Sequence, residues 1–291
     1  MTASFGYMAV YVVLVGIASF AESPVGRGFG AFQLNVLIRS GSLAAALVAL
    51  LVHGFGLPEG SSALAGLGVG LITGVGSLFY CFALDYLSVS LVVTFSNLYI
   101  VVTTLLGIVV LGEHITVLKV AGLACILVGV VLLSHTHPRY GTTPKADSMN
   151  TTRRLRGYLV MVIYVVLVGV GAFLEKPALK GLDATQLNGL MALSMTAVAV
   201  VALALRGPRL PMTKRTLGGF GVGAMIGVAS IFYFLALRQL PVSVAAASSN
   251  ASVIITVLLA SVFMHQALTR ARVRGIILTL VGVTGLALST G

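Results

Sequence analysis

Two acidic residues lie in otherwise apolar stretches of the sequence, and a proline follows each of them two residues later. Glu22 precedes Pro24 in the stretch YVVLVGIASFAESP, and Glu175 precedes Pro177 in YVVLVGVGAFLEKP. A carboxylate within an apolar segment that crosses a bilayer costs on the order of 3 kcal/mol, so by default it indicates function. A proline removes a backbone donor and either kinks or ends a helix. The chemistry available here is the binding of a proton or a cation beside a hinge.

The two acids differ in their surroundings. Arg39 lies at a similar depth in the next apolar segment, so Glu22 is either held in a structural ion pair or free for function. In the second copy the equivalent of Arg39 is Ala192, and Lys176, beside Glu175, points to another helix face. We therefore predict that Glu175, rather than Glu22, is the proton- or cation-responsive group.

Hydroxyl side chains form two matched stripes in two other apolar segments. Their spacing of i, i+3 and i+7 places each stripe on one helix face. The stripes are Ser96, Tyr99 and Thr103, and Ser249, Ser252 and Thr256. Single hydroxyls of this kind form interhelical hydrogen bonds worth about 0.6 kcal/mol on average. Two matched stripes favour a shared cavity.

Amide and phenol groups accompany these stripes. Asn97 and Asn250 lie one step around the helix and are either cavity ligands or interhelical clamps. Tyr11 and Tyr164 are further candidates for lining the cavity. A second tyrosine pair, Tyr80 and Tyr233, lies near helix ends and fits an interfacial belt.

The composition indicates a membrane protein. Of the 291 residues, 58% are hydrophobic and 9% are charged, whereas a soluble domain carries about 25% charged residues. The net charge of +11 lies mostly in short polar segments, so it reports membrane orientation and not nucleic-acid binding. Cys81 and Cys125 lie inside apolar runs without metal-ligand spacing. We expect no cofactor and no metal, and the sequence is compatible with a monomer.

Ten apolar runs are long enough to cross the hydrocarbon layer as helices, and strands with open edges are excluded there. The predicted helices are Phe5–Gly26, Phe32–His53, Ser62–Tyr86, Ser88–Leu111, Val117–Ser134, Gly157–Leu179, Thr185–Leu205, Leu217–Gln239, Pro241–Met264 and Arg270–Ser289. A polar linker, residues 135–156, separates the first five from the second five.

The second half of the chain repeats the first half without a gap. The sequence from Tyr11 to Gly16 recurs unchanged from Tyr164 to Gly169. Every matched motif in the second half lies 153 residues after its counterpart in the first half. Residues 1–134 and 157–291 are therefore two repeats of five helices. Because five is odd, the second repeat enters the membrane from the opposite side, which makes this an inverted repeat. Glycines at i, i+4 and i+8 (Gly66, Gly70 and Gly74, matched by Gly219, Gly223 and Gly227) predict close helix packing.

Lysine and arginine are distributed unequally between the two faces of the predicted bundle. The face that carries the linker collects Arg27, the linker cluster and Arg206, whereas the other face collects few basic residues, such as Lys119 and Lys180. By the positive-inside rule the linker face is cytoplasmic and both termini lie outside.

The sequence resembles the drug/metabolite transporter superfamily in its ten-helix, EamA-like branch. The resemblance depends on the five-plus-five repeat, Arg39 in the second helix, Gly112-Glu113 after the fourth, and Gly122 and Gly129 in the fifth. The second copy departs from the pattern, with His265-Gln266 in place of Gly112-Glu113. The resemblance implies a secondary transporter of small metabolites or drugs, and it implies cytoplasmic termini, opposite to the charge distribution.

We therefore expect an all-α integral membrane protein of the cell membrane, with ten transmembrane helices arranged as two inverted five-helix repeats. It would move a small molecule by alternating access, with proton coupling as one option, and would not be an enzyme. Pro24 and Pro177 would either break their helices at the transport site or simply end them. An uncoupled channel or facilitator and a lipid flippase are the alternatives.

Overall fold

The computed structural model describes residues 2–53, 56, 58, 60–134, 151–207, 210–211, 213–264 and 269–289. Within these ranges all regular structure is helical. The elements are α1 (Thr2–Val25), α2 (Ala31–His53), α3 (Gly60–Ala83), α4 (Val89–Ser96), α5 (Tyr99–Leu111), α6 (Val117–Ser134), α7 (Thr151–Ala178), α8 (Ala184–Arg206), α9 (Lys214–Gln239), α10 (Val242–Ser249), α11 (Ser252–Phe263) and α12 (Arg270–Leu288).

The ten predicted segments are all present, and the prediction of a multi-pass helical membrane protein is confirmed. Nine helical spans among the described residues are long and apolar enough to cross a membrane, and Val117–Leu133 is a shorter apolar helix. The sixth predicted helix begins at Thr151 and not at Gly157, so residues 151–156 of the predicted linker are helical. The remainder of that linker lies outside the described residues.

The fourth and ninth predicted helices are each interrupted near their middle, although the apolar sequence pattern predicts each as one continuous helix. At the first break the Leu98 N–H donates to the Phe95 carbonyl (3.0 Å), three residues back instead of four. The second break repeats this pattern, because the Ala251 N–H donates to the Ser248 carbonyl (3.0 Å). Each of these membrane segments is therefore two short helices, α4 with α5 and α10 with α11.

Most helices of one repeat pack against helices of the other repeat. Helix α1 packs against α9 and α11, and the equivalent α7 packs against α3 and α5. Likewise α2 packs against α8 and α9, and α8 packs against α3, while α6 and α12 pack against each other. The contacts follow a pseudo-two-fold relation between the halves, as an inverted repeat requires.

The matched glycine ridges lie where the helices of the two repeats approach most closely. A Cβ atom added at Gly223 in α9 would lie 2.0 Å from the carbonyl oxygen of Ile38 in α2. In the equivalent crossing, a Cβ at Gly70 in α3 would lie 2.6 Å from the Cα of Met191 in α8. These crossings leave no room for a side chain, so the packing role predicted for the ridges is confirmed.

The two prolines lie one residue before the ends of their helices. Pro24 precedes Val25, where α1 ends, and Pro177 precedes Ala178, where α7 ends. A proline has no N–H to donate to the carbonyl four residues earlier, and its ring crowds that carbonyl, which weakens the last turn and favours the end of the helix there. The helix breaks are therefore at Asn97 and Asn250, and the prolines are terminators.

Candidate functional site

A cavity of about 190 Å³ lies between the two repeats. Side chains from α1, α2, α3, α5, α7, α8, α9 and α10 reach it, so both repeats contribute. Its apolar wall includes Met191, Met195 and Phe234. Its polar lining consists of Tyr11, Arg39, Ser42, Thr73, Tyr99, Glu175, Asn188, Ser230, Tyr233 and Ser249.

Glu175 is the one carboxylate among the cavity's described lining residues. It is 8% exposed, and the Tyr233 hydroxyl hydrogen-bonds its carboxylate. No described basic side chain forms an ion pair with it. The neighbouring Lys176 turns away, and its Nζ donates to the carbonyls of Arg238 (3.0 Å) and Leu240 (2.9 Å) at the end of α9. The acid therefore faces the cavity with a phenol, and not a cation, as its partner.

Tyrosines and Ser249 surround this carboxylate. The ring of Tyr11 lies 5.1 Å from the ring of Tyr233, with the planes tilted by 46°. The hydroxyl of Tyr99 lies 3.3 Å from the Ser249 hydroxyl, which also interacts with Tyr11. These side chains come from α1, α5, α9 and α10, so a single hydrogen-bonded and aromatic cluster joins the two repeats.

Arg39 brings a positive charge to the same cavity. Its Nε donates to Asn35 Oδ1 (3.3 Å), one turn earlier on α2, and its NH1 group lies 3.8 Å from the sulfur of Met195. The expected structural ion pair with Glu22 is not present among the described residues. Arg39 is instead oriented by Asn35, because that acceptor lies on the same helix face at i−4.

Glu22 lies outside the lining of this cavity. It is half-buried on α1, and its carboxylate interacts electrostatically with both Arg39 and Tyr80. Tyr80 pairs with Tyr164 at a ring distance of 5.5 Å, and Tyr164 in turn hydrogen-bonds Ser96. This group is the repeat-related counterpart of the group around Glu175, but it lies apart from the cavity.

Only some residues of the two predicted hydroxyl stripes line the cavity. Tyr99 and Ser249 line the cavity, whereas Ser96, Thr103, Ser252 and Thr256 are not among its lining residues. Thr103 donates to the Gly169 carbonyl of α7 (3.0 Å), and Thr256 donates to the Gly16 carbonyl of α1 (3.0 Å). These two threonines form matched interhelical hydrogen bonds.

The two asparagines at the helix breaks also lie outside the cavity lining. Asn97 Nδ2 donates to the Val93 carbonyl of its own helix (2.7 Å), a carbonyl exposed by the break. Asn250 is 8% exposed, and its Nδ2 has no hydrogen-bond partner among the described residues. Neither asparagine is therefore placed as a cavity ligand. Asn97 is not an interhelical clamp either, because the hydrogen bond from its Nδ2 stays within its own segment.

Several lining residues were not among the predicted site residues. Tyr233 fitted an interfacial belt from its place near a helix end, but it is buried beside Glu175. Asn188 lines the cavity and donates from Nδ2 to the Gly227 carbonyl (3.0 Å). The repeated Gln-Leu-Asn motif carried a signal for Asn188, because an amide in an apolar helix needs a polar partner. Ser42, Thr73 and Ser230 gave no comparable signal.

A larger groove of about 420 Å³ lies elsewhere, between α2, α3 and α8. Its walls are apolar except for Arg206, whose guanidinium carbon lies 3.9 Å from the ring centre of Phe32 and 4.5 Å from that of Phe82. This groove offers little means of orienting a polar molecule. The smaller, polar cavity between the repeats is therefore the candidate functional site.

Comparison with known proteins agrees with this architecture. The sequence matches the family model of EamA-like transporters over residues 4–135 and again over residues 155–288. A protein known by its crystal structure superposes with a TM-score of 0.83 at 19% sequence identity, covering 99% of this chain and 98% of that chain. At that identity the likeness shows the fold alone. No curated protein matches the chain significantly.

The family match covers each of the two repeats separately. Between the repeats it omits only residues 136–154, all of which lie within the predicted linker, residues 135–156. The chain belongs to the EamA-like transporter family and is a membrane transporter of small molecules.

Proposed function

We propose that this protein is a secondary transporter of the cell membrane that carries a small metabolite by alternating access. The observation that supports this most strongly is the polar cavity at the interface of two inverted repeats, with Glu175 and Arg39 in its lining. Inverted-repeat transporters bind substrate near the bilayer midplane at such an interface and move one repeat against the other.

The size of the cavity favours a small substrate. Pockets that hold drug-sized ligands have volumes of roughly 300–1,000 Å³, whereas this cavity has about 190 Å³. A small metabolite therefore fits better than a bulky drug-like molecule. Flipping a whole phospholipid through a cavity of this size would need a much wider opening.

The charges of the lining indicate how the substrate would be held. The planar guanidinium of Arg39 suits a carboxylate or phosphate, which it can bind through two parallel hydrogen bonds. Glu175, with the Tyr233 hydroxyl beside it, would accept either a proton or a cationic group of the substrate. We therefore propose Arg39 as the anchor for an acidic group and Glu175 as the coupling residue.

The driving force would be an ion or substrate gradient. The sequence contains no P-loop through which ATP hydrolysis could act. Glu175 provides a site for coupling to protons, since a buried carboxylate without a basic partner is stabilised by protonation. An enzymatic role is less well supported, because Glu22 lies outside the cavity and leaves Glu175 as its one described carboxylate.

The test is a flux assay in proteoliposomes with a panel of small carboxylates, amino acids, sugars and cationic metabolites, each with and without a pH gradient. We expect saturable uptake of an acidic or zwitterionic compound that accumulates against its gradient when a proton gradient is imposed. Uptake that never exceeds equilibration would indicate an uncoupled facilitator. An absence of flux for the whole panel would contradict the proposed function.

A further inference from the structure

The carboxylate of Glu113 reaches from the end of α5 to the beginning of α10, a helix of the other repeat. Its Oε1 accepts a hydrogen bond from the Val242 N–H (2.5 Å), and its Oε2 accepts one from the Ser243 hydroxyl. Lys119 Nζ donates to the same Oε2 (3.0 Å), and the Glu113 and Lys119 side chains are only 10% and 6% exposed. Both carboxylate oxygens are thus occupied by described partners.

Helix α10 depends on this partner because it has no cap of its own. Its N-cap residue is Pro241, which makes no side-chain hydrogen bond, and all eight of its residues are buried. The first amides of a helix lack intrahelical acceptors and carry partial positive charge, so a carboxylate stabilises them. Burial excludes water from this role, and Glu113 supplies the acceptor.

The equivalent junction in the other half is built differently. Helix α4 begins after Ser88, whose own side chain accepts from the Leu91 N–H (3.5 Å). The sequence repeat aligns Glu113 with Gln266, which carries no charge. Helix α5 packs against α10, whereas the repeat-related pair, α11 and α4, makes at most marginal contact among the described residues.

This difference between the repeats distinguishes the two membrane faces of the bundle. Helix α10 begins at the membrane face where the chain also starts, since Ser4 of α1 hydrogen-bonds Gln239 at the end of α9. We call this the terminal face, and the opposite one the linker face. The contact of α5 with α10 lies at the terminal face, whereas among the described residues α4 and α11 make at most marginal contact at the linker face.

We infer that Glu113 is a positioning residue for transport, which ties α5 to α10 and holds the terminal face of the cavity closed. Through α10 it also fixes Ser249, a cavity residue at the other end of that helix. Access from the terminal face requires the carboxylate to release Val242 and Ser243. This inference rests on the proposed alternating-access function.

The accessibility of the cavity from each face tests the inference. The reporter is Ala172→Cys, which lines the cavity on α7, in a background that carries Cys81→Ala and Cys125→Ala. A membrane-impermeant thiol reagent is applied to one side of the membrane at a time. Reporters at two exposed positions, Lys180→Cys and Lys214→Cys, identify the terminal and linker faces.

We expect Glu113→Gln to raise the labelling rate of the Ala172→Cys reporter from the terminal face by at least fivefold, with unchanged labelling of the Lys180→Cys control. The double variant Glu113→Gln with Lys119→Met gives the same increase without leaving a lysine unpaired, and it keeps the test valid if the single variant fails to fold. Glu113→Asp retains the charge and restores part of the closure.

A purely structural role for Glu113 predicts another outcome. Both variants would then lower the melting temperature while the ratio of labelling from the two faces stays at its wild-type value, and that result would overturn the inference. The measurement does not require a known substrate. A failure of the flux panel and a failure of the Glu113 inference are therefore distinguishable.

Discussion

The hydroxyl of Tyr233 in α9 hydrogen-bonds the carboxylate of Glu175 in α7, and both side chains line the same cavity. A phenol satisfies the acid in either protonation state, because it can donate to the ionised form and accept from the protonated form. An ion pair with a lysine would instead favour the ionised form alone. This pairing is the physical basis for proposing Glu175 as the coupling residue.

We expect Glu175→Gln to abolish proton-driven accumulation while exchange of substrate across the membrane continues. The amide keeps the shape and hydrogen bonds of the acid but cannot gain or lose a proton in the transport cycle. The measurement is uptake into proteoliposomes over a pH series, followed by counterflow. Glu22→Gln is the matched control, because its site lies outside the cavity and should leave the pH profile unchanged. Normal pH-dependent accumulation by Glu175→Gln would refute the coupling role.

We expect Tyr233→Phe to retain transport but to shift its pH profile relative to the wild type. The substitution removes the hydroxyl that bonds Glu175 and leaves the ring that lies 5.1 Å from Tyr11. The matched control is Tyr80→Phe, the repeat-related position beside the group around Glu22. The two profiles are compared in the flux assay, and identical shifts in both variants would count against a special role for Tyr233.

We expect Arg39→Ala to weaken the binding of an acidic substrate by about ten- to a hundredfold, because a hydrogen bond to a charged group contributes about 1.5–3 kcal/mol. Arg39→Lys keeps the positive charge but loses the planar guanidinium group. Its affinity for the substrate should therefore lie between those of the wild type and Arg39→Ala. The dissociation constant is measured by isothermal calorimetry in detergent. An unchanged constant in Arg39→Ala would exclude the arginine from substrate recognition.

We expect Thr103→Val and Thr256→Val to affect stability and not substrate affinity. Each removes a 3.0 Å interhelical hydrogen bond to a glycine carbonyl, at a cost of about 0.6 kcal/mol. The measurements are thermal unfolding in detergent and the KM for transport. A tenfold change in KM at an unchanged melting temperature would return both threonines to the substrate site.

We expect Gly223→Ala to destabilise the fold by about 1–3 kcal/mol, the usual cost of overpacking a close-fitting contact. The added methyl group would lie 2.0 Å from the Ile38 carbonyl oxygen. Gly221→Ala, two residues away on the same helix, has nothing within 4 Å of its added carbon and serves as the control. Unfolding in detergent distinguishes the two variants, and equal stability would contradict the close crossing of α2 and α9.

The helices and the inverted architecture followed from the sequence because their causes are local or repetitive. Apolar runs of membrane length leave the backbone no alternative to a helix, and an odd number of helices per repeat dictates inversion. The glycine ridges of Gly70 and Gly223 likewise predicted close packing, since small residues at i and i+4 share a helix face. The acid at Glu175 was recognisable from its cost in an apolar segment.

Tertiary structure decided which polar residues share the cavity, because the rotation and depth of each helix depend on its neighbours. Thr103 donates to the Gly169 carbonyl although it belongs to the same stripe as Tyr99, because α5 packs against α7 at that position. Arg39 is held by Asn35 and so faces the cavity without pairing with Glu22. Such contacts join residues far apart in the chain. The sequence repeat offers two equivalent residues at each position, such as Glu22 and Glu175, and does not reveal which of the two lines the cavity.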